Sequence, residues 1–152
     1  MTDDAMMLAK RCAAALWADD RATQALGMEL QDVAPGRARM AMKIVATMTN
    51  GHGMCHGGYI FTLADSAFAF ACNTYDRRTV AQHCSVTFVR SAELGDHLIA
   101  EAVERSRSGC SGIYDITVRR ADGTVIAEFR GHSRTIDGTL LGEGKKAVGS
   151  GQ

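Results

Sequence analysis

The sequence predicts an α+β fold, in which one long central helix is wrapped by an antiparallel sheet of about six strands and a further helix lies at the N-terminus. Two patterns indicate this fold. Residues 59–72 form one apolar run of helical length, and segments on both sides of it place apolar residues at every second position. A helix that is apolar on nearly all sides has to be surrounded by other elements. A curved sheet folded around the helix meets that requirement.

The N-terminal part of the chain predicts a helix followed by a hairpin. Residues from Ala5 to about Leu26 place apolar side chains on one rough face, and Gly27 is suited to end the helix. The pattern then changes to a period of two, and residues 37–44 alternate as a half-buried strand does. Because Pro35-Gly36 predicts a turn, we expect Met28 to Ala34 to be the partner strand.

A glycine-rich connection, residues 50–58, leads into the central helix, which we expect to extend to about Thr74. After this helix the period of two returns, and clusters of turn-forming residues divide the remaining chain into four segments. We expect strands over about Thr79 to Arg90, Asp96 to Arg107, Gly112 to Arg119 and Thr124 to Thr135.

Length and composition favour one domain. The chain has 152 residues, of which 46% are hydrophobic, and this is enough to bury a core. We expect residues 1–136 to form that single domain. Residues 137–152 are rich in Gly, Ser and Lys, and we expect them to be a flexible C-terminal tail.

Charge and cysteine usage argue against several classes of protein. The formal net charge is zero, so the composition indicates no basic surface for nucleic acid or for a membrane. Lys10 and Arg11 interrupt the first apolar stretch and Asp65 interrupts the second, so neither is typical of a transmembrane span. Five cysteines without a regular framework argue against a disulfide scaffold. With no visible signal peptide, we expect a cytoplasmic location.

The most informative residue is Asp65, a carboxylate in the middle of the apolar helix. A buried, unpaired carboxylate is costly, so folding alone gives little reason to keep one there. Hydroxyls or backbone groups could satisfy it. Its place shortly after a glycine pair at the start of a helix favours a catalytic role instead. Asp65 would then be a general base acting on water, or a nucleophile that forms a mixed anhydride.

The glycine pair Gly57-Gly58 lies where the first-turn N–H groups of the helix have no intrahelical partner. The Gly57 N–H is a candidate oxyanion donor for a carbonyl oxygen under attack, and Gly58 is a candidate substrate contact. Gly57 and Asp65 are eight residues apart, which is about 12 Å along a helix. Either only one of them is catalytic, or Asp65 comes from a second subunit whose helix runs antiparallel alongside. The second option predicts a dimer with two equivalent sites.

Two polar residues precede the glycine pair. His56 could orient the oxyanion loop or bond to the substrate, or it could only shape the start of the helix. Asn50 could hold the attacking water or the substrate through its amide, or it could only shape a turn.

These residues fall within a longer set of motifs. Asn50-x6-Gly57-Gly58, with His56 before the pair, is followed by Leu63-Ala64-Asp65. This string resembles the hotdog-fold acyl-CoA thioesterases, and most closely their phenylacetic acid degradation (PaaI-type) family. The likeness runs from Ala25 to Ser133 and includes Phe68-Ala69-Phe70-Ala71-Cys72-Asn73, Phe88-Val89-Arg90 and Gly112-Ile113-Tyr114-Asp115-Ile116.

The resemblance implies dimers that pair into a homotetramer and hydrolysis of acyl-CoA thioesters, with CoA as part of the substrate and no cofactor or metal. By matching position it implies that Asp65 is the catalytic carboxylate, that the Gly57 N–H binds the oxyanion, that His56 assists at that loop and that Asn50 contacts the thioester or water. It points to arylacetyl groups such as phenylacetyl or hydroxyphenylacetyl. One departure is Ala69, because some wider relatives carry a hydroxyl residue one turn after the acid.

CoA phosphates require cations. We expect Arg90 and Arg107 to supply them, and Ser108-Gly109 belongs to a turn that matches a family turn near the nucleotide. The acyl group could contact several apolar residues that would equally suit a plain core, namely Met48, Met54, Phe61, Leu63 and Phe68.

Other functions compete with this interpretation. A Cys55–His56 nucleophilic pair is disfavoured because neighbours in an extended segment point to opposite sides. The remaining alternatives are a non-catalytic acyl-CoA-binding or regulatory module, a medium-chain acyl-CoA thioesterase and a dehydratase. A zinc site is also disfavoured, since its possible ligands match no common spacing: His52, Cys55, His56, His83 and Cys84.

Overall fold

The central helix and a six-stranded antiparallel sheet account for most of the computed structural model, which describes residues 2–142. The helices are α1 (Asp3–Asp19), α2 (Arg21–Ala25) and α3 (Gly57–Cys72), and Ala46–Met48 form one 3₁₀ turn. The strands are β1 (Glu29–Ala34), β2 (Arg37–Lys43), β3 (Thr79–Phe88), β4 (His97–Ser108), β5 (Ser111–Arg120) and β6 (Val125–Thr135). The predicted α+β class, the central helix and all six strands are confirmed.

The strand order in the sheet is β1-β2-β4-β5-β6-β3, so β1 and β3 are the two edges. Side chains of the strands alternate between the two faces, and α3 lies against the inner face. In β5 the inner-face residues Tyr114, Ile116 and Val118 are fully buried, whereas the residues between them are partly accessible. One face of the sheet therefore makes the core with α3, and the other carries polar residues.

Close packing between α3 and β6 depends on a glycine, Gly131, which has no side chain. The Phe68 ring, itself fully buried, lies directly over Gly131 of β6. A Cβ at position 131 would lie 2.7 Å from the ring carbons of Phe68. The glycine allows the helix to approach the sheet at this point.

The expected N-terminal helix is confirmed, but it is not continuous from Ala5 to about Leu26, because the chain forms two helices that break at Asp20. The Asp20 backbone is non-helical, with φ −90° and ψ 83°, and its carboxylate accepts a hydrogen bond from the Thr23 N–H at 3.0 Å. An aspartate in this position is a strong helix N-cap. The capping hydrogen bond at Asp20 therefore separates the two helices, although the apolar face continues in the sequence.

The beginning of the segment expected to be a flexible tail is held against the domain. The Asp76 carboxylate accepts hydrogen bonds from the N–H groups of Leu140 and Leu141, at 3.0 Å each. The Arg78 N–H donates to the carbonyl of Gly138 at 3.1 Å. The rest of the expected tail, residues 143–152, lies outside the described residues.

We predict that Gly131→Ala destabilises the fold by about 1–3 kcal/mol, because the added methyl overpacks a buried ring that has little room to move. Urea unfolding at fixed protein concentration measures the change. The matched control is Gly51→Ala, where no atom lies within 4 Å of the added Cβ. Equal midpoints for the two variants would contradict this view of the packing.

Candidate active site

The start of α3 presents one open N–H group. His56 is the N-cap residue, and its Nδ1 accepts a hydrogen bond from the Gly58 N–H at 3.2 Å. The Tyr59 N–H donates to the His56 carbonyl at 3.0 Å. Among residues 2–142, no acceptor lies within hydrogen-bonding distance of the Gly57 N–H. Gly57 is thus left as the donor of the first turn that a ligand can use.

The role of His56 follows from the same geometry. An Nδ1 that accepts a hydrogen bond carries no proton, so the proton of the neutral ring resides on Nε2. The imidazole therefore caps the helix and fixes the glycine loop. The ring accepts its hydrogen bond from Gly58 and not from the Gly57 N–H.

An aromatic ring covers the side of Gly57. A Cβ at this position would lie 3.0 Å from Phe88 Cζ, at the end of β3, and Phe88 remains 49% exposed. The sequence assigns Phe88 no role at the site, because nothing local distinguishes it from other apolar strand residues. Only the packing of β3 beside the start of α3 brings it to the candidate oxyanion donor.

Asp65 lies on the stripe of α3 that the rest of the fold covers least. This stripe stays accessible and also includes Gly58, Phe61, Thr62 and Ala69. Asp65 is therefore half-buried rather than fully buried. No hydrogen bond or ion pair reaches its carboxylate from the part of the chain that the structure describes.

The Asp65 carboxyl is more basic than an ordinary aspartate. Burial is the main cause that raises its pKa above the usual 3.8, and the negative charge of Asp20 raises the pKa further. Burial raises the pKa of the Cys84 thiol on β3, and the charge of Asp65 raises it further. A carboxylate with a raised pKa is a better general base at neutral pH.

The structure does not bring Gly57 and Asp65 together within one protomer. They are eight residues apart on the same regular helix, which separates them by about 12 Å along the axis and about 80° around it. A single thioester carbonyl cannot contact both groups of one chain.

Asn50 is mainly a turn residue in this structure. Its Oδ1 accepts hydrogen bonds from the N–H groups of His52 at 2.9 Å and Met54 at 3.2 Å. Its Nδ2 has no partner within the described residues, and the side chain is exposed. Asn50 therefore shapes the loop before α3 and keeps one free amide donor.

The two expected CoA-binding arginines lie at opposite ends of α3. Arg90 follows Phe88 and lies at the end that carries Gly57. At the other end, the Arg107 guanidinium stacks 3.7 Å over the Tyr75 ring, and its Nε lies 3.4 Å from Glu104 Oε1. The helix between the two ends has 16 residues, about 24 Å. The two cations do not converge within one protomer.

Ser108 is the last residue of β4, and Gly109 begins the two-residue turn to β5, near Arg107. Gly109 has a φ of +60°, which glycine adopts readily. The turn therefore accounts for the glycine, and a role in substrate binding for either residue stays a prediction.

The expected acyl-contacting residues divide into two groups. Met48, Leu63 and Phe68 are fully buried in the core, whereas Met54 and Phe61 are half-buried. Phe61 also packs edge-on against Phe129, with ring centroids 5.1 Å apart.

The competing chemistries find little support in the structure. Cys55 is buried, and this burial together with the nearby charge of Asp96 raises the pKa of its thiol to about 11. Such a thiol is a poor nucleophile at neutral pH. Across residues 2–142, no three His, Cys, Asp or Glu side chains come together as metal ligands. None of the described helices combines the length and apolar character needed to cross a membrane.

Comparison with known proteins shows the family to which the chain belongs. Residues 52–127 match the family model of the Thioesterase superfamily. The match covers residues 52–58 around the candidate oxyanion donor Gly57, all of α3, and the strands β3 to β5. Fold and site together define a hotdog-fold thioesterase.

Individual relatives narrow the class. The acyl-coenzyme A thioesterase PaaI of Escherichia coli (strain K12) is 40% identical over 129 residues, which cover 85% of this chain and 92% of the relative. The structure of the E. coli PaaI protein from the phenylacetic acid degradation operon matches with a TM-score of 0.87 and 39% identity, over 88% of this chain and 97% of that one. A variant of the phenylacetic acid degradation protein PaaI from Thermus thermophilus matches with a TM-score of 0.74 and 35% identity, over 77% of this chain and 100% of that one. The chain belongs to the PaaI-type family of hotdog thioesterases.

Proposed function

We propose that the protein hydrolyses arylacetyl-CoA thioesters, such as phenylacetyl-CoA or hydroxyphenylacetyl-CoA, to the free acid and CoA. The observation that carries this proposal is the pairing of one open N–H at Gly57 with an accessible, unpartnered carboxylate at Asp65 on the same helix. These are the two groups that hydrolysis of an activated carbonyl requires.

Two copies of the chain would complete each site. The gap of about 12 Å between Gly57 and Asp65 closes if the α3 helices of two copies run antiparallel, with Asp65 of one beside Gly57 of the other. The accessible stripe of α3 includes the small residues Gly58 and Ala69, which permit close approach. Edge strand β3 leaves Val80 and Phe88 nearly half exposed and offers a free edge to a second copy.

The chemistry would proceed along one of two routes. As a general base, Asp65 takes a proton from water while the water oxygen attacks the thioester carbon. As a nucleophile, Asp65 attacks the carbon itself and forms a mixed anhydride that water then hydrolyses. On both routes the Gly57 N–H stabilises the negative carbonyl oxygen, and the C–S bond breaks to release CoA as a thiolate that is then protonated.

The acyl group is inferred from aromatic surroundings and from relatives. Phe61 lies on the accessible stripe midway between Gly57 and Asp65, and Phe88 covers Gly57. Aromatic rings at this point suit an aryl group in edge or offset contact. Two of the similar proteins are named for phenylacetic acid degradation.

An antiparallel pair would also bring the expected cations to one end of the site. Arg90 lies beside the start of α3, and Arg107 lies beyond its C-terminal end. In such a pair, Arg90 of one copy and Arg107 of the other lie at the same end, where both could contact CoA phosphates. Pairing of dimers into a homotetramer and a cytoplasmic location stay predictions.

A panel of acyl-CoA substrates tests the proposed reaction. We expect phenylacetyl-CoA and hydroxyphenylacetyl-CoA to exceed straight-chain medium acyl-CoAs by about tenfold or more in kcat/KM, because only an aryl group fills the aromatic surroundings. Release of free thiol measures the rates. Preference for straight chains would assign a medium-chain thioesterase, and binding of CoA without turnover would assign a binding module.

We predict that Asp65→Asn lowers kcat by about 10²–10⁴, since the amide can neither take a proton nor attack. Inhibition by product CoA should change little, because Asp65 lies near the acyl end of the substrate. Asp122→Asn, on an exposed turn, is the matched control. Undiminished hydrolysis by the Asp65 variant would reject its catalytic role.

We predict that Gly57→Pro lowers kcat by about 10²-fold or more, because proline removes the open N–H. Proline suits the first position of a helix, and His56 already has the extended backbone, φ −64° and ψ 133°, that precedes proline well. Gly57→Ala is the matched control, since it adds a Cβ beside Phe88 and keeps the N–H. Equal rates for the two variants would show that this N–H binds no oxyanion.

A further inference from the structure

A chain of hydrogen bonds connects the junction of α1 and α2 to the residue after Asp65. The Thr23 hydroxyl donates to Asp20 Oδ2 at 2.7 Å, and the hydroxyls of Thr23 and Ser66 lie 2.9 Å apart. Thr23 is 1% exposed and Ser66 is 8% exposed. Because Thr23 donates to the carboxylate, Ser66 is the donor in the second bond.

This series of hydrogen bonds does more than cap a helix. Asp20 Oδ1 already caps α2 through the Thr23 N–H at 3.0 Å. The second oxygen and two buried hydroxyls then link α2 to α3, 43 residues further along the chain. Two buried hydroxyls are costly unless both are satisfied, so the link fixes the position of α3 at Ser66.

The link also places the Asp20 carboxylate two hydrogen bonds away from Ser66, the residue that follows Asp65. The titratable groups that act on Asp65 or feel its charge are the Asp20 carboxylate, the Cys84 thiol of β3 and the Cys72 thiol of α3. On the strands β2, β4, β5 and β6, the ionisable side chains that face α3 within the described chain are Glu104 and Tyr114, which bond to each other. Asp20 is therefore the charged group that raises the pKa of Asp65, in addition to burial.

We propose that Asp20, Thr23 and Ser66 form a positioning relay for the active-site carboxylate, in which the hydroxyls hold α3 in place and the negative charge of Asp20 raises the lower pH limit of activity. The relay rests on the proposed function, because it assumes that ionised Asp65 drives hydrolysis. Asp20 and Thr23 act through Asp65 and Ser66 and do not contact the reacting atoms.

The negative charge of Asp20 determines the direction in which the pH profile of activity shifts when Asp20 is replaced. Asp65 has to be ionised to act as a base or nucleophile, so kcat/KM rises with pH as its proton leaves. A neighbouring negative charge opposes ionisation. Removal of the Asp20 charge therefore moves the acidic limb of the kcat/KM profile to lower pH.

The test compares two neutral replacements at position 20. Asp20→Asn and Asp20→Ser both retain a good helix cap, so both are expected to fold. We expect each to shift the acidic limb of the kcat/KM profile to lower pH. Asp122→Asn, which removes an exposed aspartate on the turn between β5 and β6, should leave the limb in place.

Thr23→Val separates positioning from charge. It removes the hydroxyl of the relay and leaves Asp20 bonded to the backbone N–H of residue 23. We expect kcat to fall by roughly three- to tenfold, with little change in KM and with the acidic limb unmoved.

The outcomes distinguish this inference from the proposed function. Acidic limbs of both Asp20 variants that superimpose on the parent limb, with Asp65→Asn inactive, would overturn the inference alone. Full activity of Asp65→Asn would overturn the proposed function and the relay together.

Discussion

The regular rise of one helix constrains every other feature of this site. Because α3 is rigid, Gly57 and Asp65 stay about 12 Å apart in any one protomer. Each group is otherwise prepared for chemistry: the Gly57 N–H is the open donor of the first turn, and Asp65 has an accessible carboxylate with a raised pKa. A reacting carbonyl can use both only where two α3 helices lie side by side. Under the proposed mechanism, catalysis therefore requires two copies to associate.

The rest of the fold supports the start and the middle of that helix in different ways. At its start, the His56 ring occupies the Gly58 N–H, and Phe88 packs beside Gly57. In its middle, one stripe of the helix stays partly accessible, and α2 is joined to Ser66 by buried hydroxyls. Gly131 lets the buried side of α3 approach β6 closely. The buried side of the helix is thus fixed by packing, while the accessible side keeps the Asp65 carboxylate free, as the proposed mechanism requires.

The sequence alone predicts the regular elements well, because apolar periods of two and of a helical turn depend on local spacing. It also predicts Gly57 and Asp65 as a pair of interest, since a carboxylate in an apolar helix and glycines at a helix start are visible in the sequence. It does not predict the break at Asp20, although Asp20 with Thr23 three residues later is a capping signal. Nor does it predict that Phe88 covers Gly57 or that Arg107 stacks on Tyr75, because both contacts join residues distant in sequence.

Mixing two inactive variants tests most directly whether two copies share each site. Asp65→Asn and Gly57→Pro subunits are unfolded together, refolded and compared with each variant refolded alone. If the sites are shared, each mixed dimer has one site with both groups intact, and random association restores about a quarter of the parental activity. If each chain works alone, verified mixed dimers stay inactive, and that result would contradict the account.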